Sequence, residues 1–319
     1  MAALAETSTS LITPHEFYLK CVDGDVDTIM EILGSGFTDV DYVDPVTGMT
    51  PLIQMCKRKI HHAVIMIIAT GKSRPAQIDM FGYTALIYAC EYGMSETALA
   101  ILATDDAAPG QINIHGDTAL INACWKGLTK VAERIIATGE SKPMQINTRG
   151  NNALILACVS RMKTIADMLL NFADIDPSIV NDHGNTALLL ACWRDMTAVA
   201  HRIIATGKSN PGQVNKFGNT ALILACDNNM TSIIRALIAT GESRPEQVNQ
   251  YNTTALILAC TKTSVTTILC VLNTNKANPA HVNADGKSAH DIAIEKNYHQ
   301  LAEAIQQNII EFGQIIISI

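Results

Sequence analysis

Short apolar blocks recur along this chain at a fixed interval. One block is Ala85, Leu86, Ile87, Ala89 and Cys90, with Thr84 just before it. The residues in the register of Thr84 are Thr50, Thr118, Asn152, Thr186, Thr220, Thr254 and Ser288. Each can accept a backbone N–H through its side-chain oxygen, so each predicts an N-cap and a short first helix behind it. Pro51 follows Thr50, where a missing N–H costs least. A break is expected near Gly93, Gly127, Asp195 and Asn229, residue types that tolerate turn conformations. A second helix follows from Ser95, Thr129, Thr197 and Thr231, with apolar pairs such as Ile135–Ile136 and Leu237–Ile238. In four repeats it ends at a glycine: Gly71, Gly139, Gly207 and Gly241, the usual residue just past a helix C-terminus.

The same beat runs through other residue types. Pro75, Pro109, Pro143, Pro177, Pro211, Pro245 and Pro279 lie 34 residues apart. Gly48, Gly82, Gly116, Gly150, Gly184, Gly218 and Gly286 keep step, with Asn252 in the one gap. Cys56, Cys90, Cys124, Cys158, Cys192, Cys226 and Cys260 do likewise. After each proline, Gln-Ile/Val-Asn reads as an extended arm and turn. A strict period of this length marks a repeat array, and such arrays offer long binding surfaces more often than deep pockets.

The unit of helix, tight turn, helix and extended loop resembles the ankyrin repeat. That family's Gly-x-Thr-Pro-Leu pattern stands here as Gly48-Met49-Thr50-Pro51-Leu52, and elsewhere mostly as Gly-x-Thr-Ala-Leu-Ile/Leu-x-Ala-Cys. The resemblance covers roughly residues 13–306. It implies an all-α ankyrin-type solenoid of about nine helix pairs, a protein–protein interaction role, no catalysis and no cofactor. Two departures stand out. The family's proline is mostly Ala here and its His mostly Ile or Leu, so that family's own hydrogen-bond network between repeats is expected to be absent. The period also exceeds the usual 33 by one, which places an extra residue in the loop after the second helix. The 34-residue form with Ala-Thr-Gly-Lys-Ser is similar to ankyrin arrays of large DNA viruses.

The ends differ from the middle. Residues 1–12 read as a disordered tail, 13–307 as the solenoid with capping units at 13–44 and 284–307, and 308–319 as an apolar tail. Ile309 to Ile319 looks strand-like. It either packs on the last repeat or serves as a partner-binding or aggregation-prone segment.

Composition narrows the function. Hydrophobic residues make up 48 % and aromatics 5 %, so the core must be aliphatic and Ala-rich. The formal charge is -7, which argues against sequence-independent nucleic-acid binding. No apolar run approaches the ~20 residues that span a bilayer. Nine cysteines without a secretory signal predict reduced thiols in a cytoplasmic chain (host cytoplasm for a viral one) or a nuclear one.

Candidate chemistry is sparse. One cysteine per stacked repeat does not suit a disulfide or a zinc site, so the cysteine ladder reads as small buried residues. Gly71-Lys72-Ser73 and Gly207-Lys208-Ser209 mimic the end of a phosphate loop, but Met66 and Arg202 stand where its first glycine belongs. His61 and His62 read as the start of a second helix, and Asp105-Asp106 as a solvated loop. No catalytic constellation assembles, and no metal ligands are identified.

The unequal positions carry the functional expectation. They are Lys57-Arg58, Glu91-Tyr92, Trp125-Lys126, Val159-Ser160, Trp193-Arg194, Asp227-Asn228 and Thr261-Lys262. Similarity to ankyrin domains implies that these face a concave groove beside the turn tips Phe81, His115, Arg149, His183, Phe217 and Tyr251. The partner-binding candidates are therefore Arg58, Tyr92, Trp125, Lys126, Trp193, Arg194, Lys262 and those six tips. Trp, Tyr and Arg are enriched at binding hot spots, and such a groove suits a partner with apolar anchors and acidic residues. A second reading is duplication, because Gly116–Arg149 matches Gly184–Phe217 at 20 of 34 positions, Trp included. The chain reads as a monomeric array binding a protein partner. The alternative is an adaptor that links a target to a ubiquitin ligase or other host complex.

Overall fold

The computed structural model describes residues 12–274 and 276–317, with side chains through residue 310. The chain divides into two compact units, Met1–Gln145 and Ile146–Ile319. The first unit holds α1 (Pro14–Asp23), α2 (Val26–Gly34), α3 (Pro51–Arg58), α4 (His61–Ala69), α5 (Ala85–Glu91), α6 (Ser95–Leu102), α7 (Ala119–Lys126) and α8 (Thr129–Ala137). First helices pack in series, α1 on α3 on α5 on α7, and second helices likewise, α2 on α4 on α6 on α8.

The second unit holds α9 (Ala153–Val159), α10 (Lys163–Leu169), α11 (Ala187–Trp193), α12 (Thr197–Ala205), α13 (Ala221–Asp227), α14 (Thr231–Ala239), α15 (Ala255–Lys262), α16 (Val265–Leu272), α17 (Ala289–Glu295) and α18 (His299–Ile317). It repeats the pattern, with α9, α11, α13, α15 and α17 stacked in one row and α10 through α18 in the other. The described residues thus form nine helix pairs, and their only strand-like pairings are the isolated bridges Val248–Thr254 and Val282–Ser288.

Local chemistry accounts for the helix boundaries. Thr50, Thr84, Thr118, Asn152, Thr186, Thr220, Thr254 and Ser288 are all extended N-caps whose side chains accept the N–H three residues on. Ser95, Thr129, Thr197 and Thr231 open α6, α8, α12 and α14 as expected. The breaks at Gly93, Gly127, Asp195 and Asn229 are left-handed, and so are Lys59 and Arg161 in the same register. The glycines expected at the ends of second helices lie one residue past the C-caps Thr70, Thr138, Thr206 and Thr240, again left-handed. Each of those threonine hydroxyls donates to the carbonyl three residues back, ending the ladder.

In each unit the first helices form a buried row, closed over by the inner faces of the second helices. Leu120, Leu154, Leu188, Leu222 and Leu256 are fully buried, each contributing about 1.5–3 kcal/mol against exposure. Cysteines 56, 90, 124, 158, 192, 226 and 260 lie among them as buried thiols outside any disulfide. Burial pushes the thiols of Cys158 and Cys260 up to about 12, which keeps them as inert thiols rather than thiolates.

The repeats are nonetheless hydrogen-bonded to one another, through their turns and not through the family's His. In the second unit Asn181, Asn215 and Asn249 donate through Nδ2 to Oδ1 of Asn151, Asn185 and Asn219, at 2.9, 2.9 and 3.2 Å. The same Asn side chains accept two backbone N–H groups of their own turns, as Asn215 does from Phe217 and Asn219. The strand-like reading of Ile309–Ile319 fails, because α18 continues to Ile317. Once nucleated at His299, a helix gains one hydrogen bond per added residue, whereas the β-branched penalty is a few tenths of a kcal/mol. An isolated strand would leave its backbone unpaired. The tail expected over 1–12 lies, apart from Ile12, outside the described residues.

Candidate functional site

The residues after each periodic cysteine sit at or just past the C-terminal ends of the first helices, where the buried stripe gives way to solvent. In the Met1–Gln145 unit, Arg58, Phe81, His115, Trp125 and Lys126 are exposed and Tyr92 is half-buried. In the Ile146–Ile319 unit, Arg149, His183, Trp193, Phe217, Tyr251 and Lys262 are exposed and Arg194 is half-buried.

These positions are not equivalent once their neighbours are visible. The Arg58 guanidinium lies over Gly24, so close that a Cβ there would stand 2.4 Å from Nη1. It packs repeat on repeat. Lys262 is engaged by Asp227 in an ion pair. The turn tips are tied through their backbones: the carbonyls of Phe81, Arg149, His183 and Phe217 accept the N–H of Ile114, Asp182, Lys216 and Gln250. That leaves the tip side chains displayed on rigid turns.

Two sites carry distinct chemistry. In the second unit the Arg194 guanidinium stacks on the Trp193 ring, 3.8 Å from its centroid. Arg194 Nε is buried with no hydrogen-bond partner. Nearby, Asn228 Nδ2 donates to the carbonyls of Cys192 and Trp193, holding the end of α11 in place.

In the first unit three tyrosines of one repeat line up. Tyr83 and Tyr88 stack at 4.6 Å between ring centroids, and Tyr88 and Tyr92 at 6.0 Å. His115 meets Tyr83 edge-on at 6.3 Å, and Lys59 Nζ sits 4.6 Å over Tyr92. Tyr88 donates its hydroxyl to Asp79 Oδ2 at 2.8 Å. Burial, then the negative charges of Glu91, Asp117 and Asp79, push Tyr83 up to about 12. Glu91 is itself raised, first by burial and then by Asp117, against the opposing pull of Lys126 and His115. Tyr83, Tyr88, Lys59 and Glu91 were not among the expected site residues. Three tyrosines within ten residues, in a chain so poor in aromatics, were the available signal.

Gly71-Lys72-Ser73 follows the C-terminus of α4, the wrong end of a helix for phosphate, and Lys72 pairs with Asp39. His61 and His62 open α4, with His61 Nδ1 3.0 Å from Thr97 Oγ1. Among the described residues no group of three or more His, Cys, Asp or Glu could hold a metal ion. None of their helices is long and apolar enough to cross a membrane.

No curated protein matches the chain. The family model for ankyrin repeats, a three-copy unit, matches residues 17–113, 120–209 and 188–279. Repeats of this kind generally act as protein–protein interaction modules. The capped helix pairs, the linked turns and these matches together make the chain a member of the ankyrin repeat family.

Proposed function

We propose that the chain captures a protein partner on the surface that the first-helix C-terminal ends and the adjacent turn tips make in each unit. In the Ile146–Ile319 unit the anchor is the Trp193–Arg194 pair. The observation that carries this reading is the state of Arg194. Its guanidinium is already stacked on an exposed indole, and one of its buried N–H groups lacks an acceptor. A buried unsatisfied donor costs about 1–3 kcal/mol, a cost that a partner carboxylate would remove on binding. The stacking also pre-orders a long side chain, which lowers the entropy lost on association. The partner segment therefore presents an acidic side chain next to an apolar one.

The duplication reading makes Trp193 a scaffold residue. Its half-exposed ring (49 %) supports the binding reading instead, because an indole exposed to that degree adds little to a core. Affinity capture from cell extract with the full chain, Trp193→Ala and Arg194→Gln tests it. The proteins retained by the wild type should be lost by both variants, with melting temperatures unchanged. Retention of the same proteins together with a lowered melting temperature would make Trp193 structural and overturn the proposal.

A further inference from the structure

The tyrosine stack of the first unit points to a second kind of contact. Glu91, the last residue of α5, lies beside Tyr92 with Oε2 buried and no hydrogen-bond partner. Its place is unfavourable in three ways. It is partly desolvated, it sits at the negative end of a helix, and Asp117 repels it. The equivalent acid in the second unit, Asp227, has its charge met by Lys262, thirty-five residues on. The residue in that same register to Glu91 is Lys126, yet no ion pair closes between them among the described residues. Lys59, the other nearby cation, is committed to the Tyr92 ring.

The surroundings of Glu91 are rigid. Asp79 is buried, accepts the Phe81 and Tyr83 N–H groups through Oδ1, and holds the Tyr88 hydroxyl through Oδ2. The tyrosines are thus fixed from the turn below. Glu91 itself is half-buried, and of its two oxygens only Oε2 is buried without a partner, so Oε1 is the oxygen placed to meet an incoming cation. Aromatic faces beside a carboxylate favour a cation, through the ring quadrupole and the charge together.

We propose that Glu91, with Tyr83, forms a subsite for one cationic side chain, lysine or arginine, of the bound protein partner; the neighbouring Tyr92 ring is already taken by Lys59. This rests on the partner-binding reading and extends it. The second unit offers a guanidinium to a partner acid, and the first offers a carboxylate to a partner base.

The full chain is titrated with N-acetyl-argininamide and N-acetyl-lysinamide, with N-acetyl-norleucinamide as the uncharged control, and tyrosine ring resonances are followed by NMR. At least one cationic probe should shift Tyr83 saturably, with Kd on the order of 1 mM, as expected for a single contact. Glu91→Gln should weaken that binding at least tenfold, while its melting temperature stays equal or rises. An equal response to the norleucine probe, or undiminished binding by Glu91→Gln, overturns the proposal. So does a fall in melting temperature for Glu91→Gln that Lys126→Met reproduces and the double variant does not exceed, since that marks an internal ion pair. Trp193→Ala should leave the titration untouched. The small probes need no partner, so failure here and failure of the Trp193 capture test are read separately.

Discussion

Arg161 holds the turn between α9 and α10 at φ +57°, where Gly93 and Gly127 hold the same register in other repeats. A non-glycine residue pays about 1–2 kcal/mol in that region, and glycine returns part of this through a more disordered unfolded chain. Arg161→Gly should therefore raise stability by up to about 1 kcal/mol, measurable by denaturant unfolding. Glu91 gives a residue-scale pH dependence. Burial and then Asp117 raise its pKa in the folded state above the ordinary glutamate value of 4.5, against Lys126 and His115. The folded state then holds the proton more tightly than the unfolded one, so this group's contribution is full below pH 4.5 and is lost as pH rises through the folded pKa. Glu91→Gln should gain stability relative to wild type as pH rises from 4 to 7. Thermal unfolding of both across that range checks the sign, and a constant difference would refute it. The turn and cap residues at this scale were legible in sequence because their partners lie within four positions. The period places Arg194 just after Cys192 and Trp193, but its stacking on Trp193 depends on a rotamer that spacing does not specify.

At the scale of elements, the periodic glycine serves both its own turn and the next repeat. Gly218 has φ +75° and a Cβ there would stand 2.8 Å from Asn249 Cα, whereas Gly286 has the same φ with open space around it. Gly286→Ala should cost about 1–2 kcal/mol for the left-handed strain alone. Gly218→Ala should cost more, because the turn-to-turn approach must also widen, and the difference between the two measures that approach. Asn252 tolerates the same slot at φ +53° and uses its side chain to reach the Val282 carbonyl. First helices bury their cysteines completely, while Cys270 on α16 is half-buried. A thiol reagent at neutral pH should modify Cys270 first and the seven ladder cysteines only on unfolding. Rapid reaction of Cys226 in the folded chain would contradict that burial. The cysteine ladder was readable from composition and period, since a small apolar side chain is what closely stacked first helices admit. The α18 extension was not, because its Ile-rich residues favour a strand locally and only the preceding helix overrides them.

Across the whole molecule, stability in a repeat array is a sum of unit and nearest-neighbour terms. Terminal pairs have one neighbour and interior pairs have two. Amide hydrogen exchange should therefore be slowest in α5 of the first unit and in α11 and α13 of the second, and faster in α1–α2 and α17–α18. Uniform protection along the chain would contradict that arrangement.

The 34-residue period, the caps and the turn glycines followed from sequence, because hydrogen bonding near a helix end and the sterics of positive φ act over a few residues. Repetition then multiplied that local signal until the family resemblance was secure. Contacts across repeats are of another kind. The Asn ladder, the turning of Arg58 onto Gly24 and the edge-on contact of His115 with Tyr83 each join residues far apart in sequence, and they depend on the distance and rotation between stacked helices. Asp227 closes an ion pair that Glu91 leaves open, although both have a lysine at the same spacing. That difference arises from the packed surroundings of each carboxylate, which a list of residue types does not contain.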